Sequence, residues 1–171
     1  MSKNESITAA IETSLNNFTH LFEEVASDQF NEMRKCSFFD PIPSDCLARI
    51  AKQAEIRTFA AGEHITTEGD AMDVFHVLMY GSATAYFQNK VVGTIHSGDC
   101  IGEGSFFGNE KLTQSATVIP DGEVIVAEIK KHVVGSLEGE DKTYMDKALL
   151  LALFKKLQAA NRKIEELLRN Q

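Results

Sequence analysis

Residues 60–87, AAGEHITTEGDAMDVFHVLMYGSATAYF, decide how the middle of this chain folds. Two short runs rich in β-branched and aromatic residues, VFHVLMY and ATAYF, flank a glycine-serine step at Gly81, and Gly69-Asp70 precedes them. Runs of this length bounded by glycine and aspartate read as strands joined by tight turns. The texture extends outward from Ile56 to Ile129, where IRTF, HITT, VVGTI, SATVI and VIVAEI alternate with Gly62, Asn89-Lys90, Gly98-Asp99 and Asp121-Gly122. There are no βαβ units in this region. The expectation is a mainly β domain, an antiparallel β-roll of the jelly-roll or double-stranded β-helix kind.

Helical texture flanks the roll on both sides. Over residues 5–35, Ile7, Ala10, Ile11, Leu15, Phe18, Leu21, Phe22, Val25 and Phe30 recur mostly at steps of three and four, as one face of a helix requires. That N-terminal arm ends before FFDPIPSDCLARIAKQ, where Pro41 and Pro43 break the pattern and Ser44 is a candidate N-cap for a short helix carrying Leu47 and Ile50. After GSLEGED, nothing from Lys142 onward interrupts a helix, and Leu150, Leu153, Leu157, Ala160, Ile164 and Leu167 form a seam of a and d positions. Leu149, Leu151 and Phe154 offer the roll a second face, which favours a dimer seam over one helix folded back on its own roll. The expected division is an arm at 1–37, a roll at 38–137 and a dimerisation helix at 138–171.

Seventeen basic against 25 acidic residues give a net charge of −8, which argues against a partner recognised through its phosphate backbone, so no nucleic acid is expected. No run reaches the ~20 apolar residues that span a bilayer, and the start lacks a basic-then-apolar leader, so a cytoplasmic protein with no membrane partner is expected. Cys36, Cys46 and Cys100 are odd in number and widely spaced, which suits free thiols. The five histidines have no metal-ligand spacing, and Ser105 in GEGSFFG does not meet the G-x-S-x-G pattern of a nucleophile elbow. Neither a resident metal, a cofactor nor an enzyme is expected.

The order of motifs resembles the cyclic-nucleotide-binding domain family. AAGEHITTEGDAMDVFHVLMYGSATAYF is similar to its first half, with a Gly-Glu corner, Glu-Gly-Asp, a short apolar strand and a glycine turn. HSGDCIGEGSFF continues as a Gly-Asp turn entering the Gly-Glu start of the family's phosphate-binding cassette, residues 101–118 here. The resemblance covers about residues 38–135, and the long helix after the roll is similar to the dimer helix of the bacterial catabolite-activator branch. It does not extend to that branch's DNA-binding function, because no helix-turn-helix pattern follows the helix before Gln171.

The resemblance implies a cassette that cradles a cyclic phosphate, as in cAMP or cGMP, with backbone amides and an arginine, while a glutamate takes the ribose 2′-hydroxyl. The candidate binding residues are Gly102, Glu103, Gly104, Ser105, Gln114 and Ser115, with Asn161 on the C-terminal helix facing the base. Gly102 and Gly104 permit close approach of a ligand to the main chain, and an ionised Glu103 accepts from a sugar hydroxyl but repels a phosphate. Gln114 departs from the family pattern by standing where the arginine belongs. An uncharged amide in place of a guanidinium weakens phosphate binding by about tenfold to a few hundredfold. Three readings stay open: Lys111 supplies a compensating cation, the pocket takes a nucleoside-like ligand without phosphate, or the roll is a ligand-free adaptor or assembly scaffold. A haem- or iron-based sensor of the same superfamily stands behind them. The favoured expectation is a non-enzymatic sensor that signals through protein contacts, as a homodimer through the C-terminal helix and with a protein partner at the N-terminal arm.

Overall fold

The computed structural model describes residues 3–71, 73–104 and 113–169. Its elements are α1 (Lys3–Arg34), a 3-10 turn (Ser37–Phe39), α2 (Ser44–Ala51), β1 (Glu55–Phe59), β2 (Val74–Tyr80), β3 (Ser82–Phe87), β4 (Lys90–His96), β5 (Cys100–Ile101), β6 (Thr117–Pro120), β7 (Val124–Lys130), α3 (Lys131–Gly135) and α4 (Gly139–Arg169). Every strand pairing is antiparallel: one sheet has the order β1–β7–β2–β5, the other β4–β3–β6. This is the expected roll with flanking helices.

Period-two alternation on β2 and β7 separates two cores. Leu78, Val124 and Val126 point between the sheets, joining Phe59, Ile65, Ala83, Ile101 and Val118. Phe75, Val77, Ala127 and Ile129 point the other way, into a larger core closed by the helices through Met33, Phe39, Leu47, Ile50, Met145 and Leu149. Both faces of β2 are buried, and so its sequence is a nearly unbroken apolar run. The turn into β3 depends on Gly81: its φ is +89°, and a Cβ there would lie 2.8 Å from the Glu123 carbonyl oxygen.

Several local expectations change. HITT forms no strand; only Thr66 bridges, to Val118. The short strand β5 had no signal in the pattern, because two residues carry no periodicity. Ser44 is the first residue of α2 rather than its cap; Pro43 takes the cap position in an extended conformation with φ −57° and ψ 152°, and its carbonyl accepts from the Leu47 amide at 2.9 Å. Leu149 faces the roll, as expected, but Leu151 is 44% and Phe154 55% exposed. The buried side of α4 runs through Met145, Ala148, Leu149 and Ala152, which at 100° per residue leaves Phe154 on the opposite side. In the seam, Leu153 is half-buried whereas Leu150, Leu157, Ile164, Leu167 and Leu168 are exposed.

Among the described residues the buried polar side chains are Thr66, His76 and Gln114, and of these only His76 is ionisable. His76 is 6% exposed, its Nδ1 has no partner, and its Nε2 lies 3.5 Å from Glu128 Oε1. That carboxylate already accepts from Arg57 Nη1 at 2.9 Å, so burial dominates, helped by the Arg57 charge, and lowers the His76 pKa to about 4. The folded pKa lies below the unfolded one. The ring therefore contributes its full stability above pH 6.5, and that contribution is lost as pH falls towards 4. Urea denaturation should show the protein less stable by ~2 kcal/mol at pH 5 than at pH 7.5 from this group, and His76→Phe should remove that part of the slope; an unchanged slope in the variant would refute the assignment.

Candidate ligand site

The two ends of the cassette are held by one stretch of chain. β5 enters it paired with β2, His76 opposite Ile101 and Val77 opposite Cys100. At the far end, the Gly69 amide donates to the Gln114 carbonyl at 2.9 Å, the Gln114 amide donates to the Asp70 carbonyl at 2.8 Å, and Ala71 bridges Thr113. Residues 69–77 thus fix Gly102 and Gln114 side by side. Gly102 has φ +81°; a Cβ there would lie 2.9 Å from the Val74 carbonyl oxygen and 3.4 Å from Gln114 Nε2. Only glycine suits that backbone. The Gln114 residue is 7% exposed, so the amide occupies the space beside the glycine rather than reaching into solvent.

Glu103 follows in a turn, half-buried, and Gly104 is helical. The Glu103 carboxylate has a partner that the sequence patterns did not point to: Lys156 Nζ of α4 donates to Oε1 at 2.6 Å, with the side chains 19% and 34% exposed respectively. The Cys100 thiol, pushed up to about 12 by burial, stays protonated and points its sulfur to 4.0 Å from Oε2. The acceptor expected to wait for a ribose hydroxyl is therefore engaged by an ammonium of the protein itself. A signal for Lys156 was present. Leu149, Ala152 and Lys156 are spaced by three and four, so the lysine continues the buried face of α4 onto the cassette.

The remaining expected residues divide by location. Ser115 is exposed at the mouth of β6, and Asn161 is exposed on α4, one full seven-residue repeat after Phe154. Ala160 is exposed as well. Ser105 and Lys111 lie outside the described residues, as do Phe106 and Phe107. Lys111, the expected compensating cation for position 114, is among the residues not described; among the described residues Lys156 pairs with Glu103, and none pairs a cation with Gln114. Among the described residues, a crevice of about 510 Å³ lined by Val134, Leu150 and Leu153 shares no residue with the cassette. No helix among these residues is long and apolar enough to cross a membrane.

Residues 56–138 match the family model of the cyclic nucleotide-binding domain. The chain is 29% identical over 106 residues to a cGMP-dependent protein kinase of Plasmodium berghei, a match covering 60% of this chain and 12% of the kinase. It superposes on cAMP-bound PfPKA-R with a TM-score of 0.66 at 20% identity, covering 86% of this chain and 49% of that one. It also superposes on the regulatory subunit of a cAMP-independent protein kinase A from Trypanosoma cruzi bound to guanosine, with a TM-score of 0.57 at 20% identity over 64% of this chain and 40% of that one. The chain thus spans half or less of the length of each of these proteins. The solved structures share the fold, and the family is one of regulatory binding domains rather than catalysts. Residues 56–138, with their roll, glycine-lined cassette and Glu103, form a domain of the cyclic nucleotide-binding family.

Proposed function

We propose that this protein is a non-enzymatic sensor whose cassette takes a nucleoside-like ligand in preference to a cyclic nucleotide, and that it signals through protein contacts as a homodimer built on α4. The observation that carries this reading is the Lys156–Glu103 ion pair. A guest with a sugar cis-diol offers donors to Glu103 and competes with one ammonium for it, whereas a phosphate gains no charge from Gln114. The likeness to a cAMP-independent regulatory subunit bound to guanosine, a purine nucleoside, supports that preference. In this reading α4 responds because the ligand must displace a side chain of that helix, and it can shift the helix only by as much as it favours the displaced arrangement.

The ion pair equally supports one rival, a ligand-free adaptor in which Lys156 permanently satisfies Glu103. Thermal denaturation with guanosine, adenosine, cAMP and cGMP separates the two, since a ligand that binds only the folded form raises its apparent stability. The sensor reading expects a shift with a nucleoside; no shift with any of the four at millimolar concentration supports the adaptor.

Two substitutions sharpen the test. Lys156→Gln removes the competitor and should tighten nucleoside binding ~5–10-fold by calorimetry, consistent with a half-exposed pair contributing ~1 kcal/mol. An unchanged or weaker affinity would mean that Lys156 does not guard the site. Gln114→Arg restores the missing charge and should tighten cAMP binding by ~10–100-fold while leaving nucleoside affinity within about twofold. Equal gains for both ligands would place Gln114 away from the anionic end.

A further inference from the structure

The side of α4 that meets the rest of the molecule carries an ion pair at each end. Asp141, Met145, Ala148, Leu149, Ala152 and Lys156 lie on one stripe of the helix, with Asp141 and Lys156 about four turns apart and about 60° from each other around the axis. At the distal end Lys156 Nζ donates to Glu103 Oε1. At the proximal end Asp141 Oδ2 accepts from Arg49 Nε of α2 at 2.9 Å, and its Oδ1 accepts from Arg49 Nη2 at 2.6 Å. This is the two-pronged arginine–carboxylate geometry, which fixes direction as well as distance, and it holds the Asp141 carboxyl below the usual carboxylate range. Among the described residues, these two are the only ion pairs that α4 makes with another element. From Leu157 to Arg169 every residue is exposed, so the attachment of the helix ends at Lys156.

Packing alone does not set how α4 is turned about its axis. Met145 and Leu149 are fully buried and hold the proximal half down, but burial is non-directional, and beyond them the stripe offers only Ala152 before the lysine. At the joint, a Cβ on Gly139 would meet nothing within 4 Å, so no close contact braces the entry into the helix. The orientation is left to the two polar contacts. We propose that Arg49 and Asp141 are a positioning pair: by fixing the rotation of α4 where it starts, they hold Lys156 over Glu103, and loosening them frees the cassette. α4 runs from Gly139 to Arg169 without a proline or a second glycine, so a rotation at Asp141 reaches Lys156 through one stiff rod, about 22 Å further along the axis.

This inference rests on the reading of Lys156 as guard of the cassette, but not on which guest the cassette takes. Its test therefore needs no ligand. Cys100 is fully buried, with its sulfur 4.0 Å from Glu103 Oε2, and reports whether the helix end lifts. The full chain is treated with N-ethylmaleimide, and the rate of modification at Cys100 is followed by peptide mass spectrometry, with circular dichroism to check that each variant is folded. Lys156→Gln should speed the reaction ~3–5-fold; Asp141→Asn and Arg49→Gln should each do the same, and the two together no more than either. Arg49→Lys, which keeps the charge, should recover most of the wild-type protection. In the Lys156→Gln background, Asp141→Asn should change the rate by less than about 1.5-fold. Sites this far apart ordinarily act independently, so a pair that only stabilises the fold would speed the reaction by the same factor with or without Lys156. That result, or no effect of Asp141→Asn on Cys100, overturns the proposal. If Lys156→Gln itself leaves Cys100 protected, the guard reading falls and the positioning pair with it. If the expected pattern appears but no nucleoside binds, the choice of guest falls and the positioning pair stands.

Discussion

The site depends on the double duty of one stretch, residues 69–77. Its second half is β2, buried on both faces and paired with both β7 and β5. Its first half exchanges two backbone hydrogen bonds with Gln114. Because these are main-chain bonds fixed to the centre of a sheet, the separation of Gly102 from Gln114 is set by sheet geometry and not by loop conformation. Whatever lies between the two ends, Gly102 and Gln114 are held in a fixed arrangement.

The same rigidity explains why the fold was legible and the site only partly so. Runs rich in β-branched and aromatic residues between glycine corners mark six of the seven strands among the described residues, and they fail for β5 because Cys100 and Ile101 are too few to make a run. Three- and four-residue steps mark α1, α2 and α4, whereas the five residues of α3 are too few to show a helical period. What the steps did not fix was which side of α4 meets the roll. Met145, Ala148 and Ala152 are small or flexible residues that close packing accepts, whereas the bulkier Phe154, expected against the roll, faces away from it. In the cassette, Gly102 and Gln114, two positions that the resemblance pointed to, lie side by side. Lys156 could be found only by carrying the buried face of α4 one turn further.

The charge at the cassette has been rearranged as much as removed. Position 114 holds a neutral amide packed beside Gly102, while a positive charge enters from α4 and lies 2.6 Å from the Glu103 carboxylate. An arginine at 114 would act on a ligand's anionic group; a lysine at 156 acts on the protein's own acceptor. The two placements have opposite consequences for recognition, because the first rewards an anion and the second competes with a hydroxyl donor. Partial exposure keeps the pair weak enough to open, since solvent screens charges that burial would lock together.

Lys156 also lies within the exposed seam's span, between Phe154 and Leu157 in sequence but on the opposite side of the helix. Ion pair and seam are therefore two faces of one rigid rod. If the seam is covered by a second copy, any rotation of α4 that lengthens the Lys156–Glu103 distance also moves Phe154 and Leu157 against that copy, and dimerisation in turn holds the lysine over the cassette. Linkage then runs in both directions: a ligand that prefers Glu103 free weakens the helix packing by the same factor by which that packing weakens the ligand. The proposed sensor needs no separate transmission element, because a single helix carries both the lysine at the cassette and the exposed apolar seam.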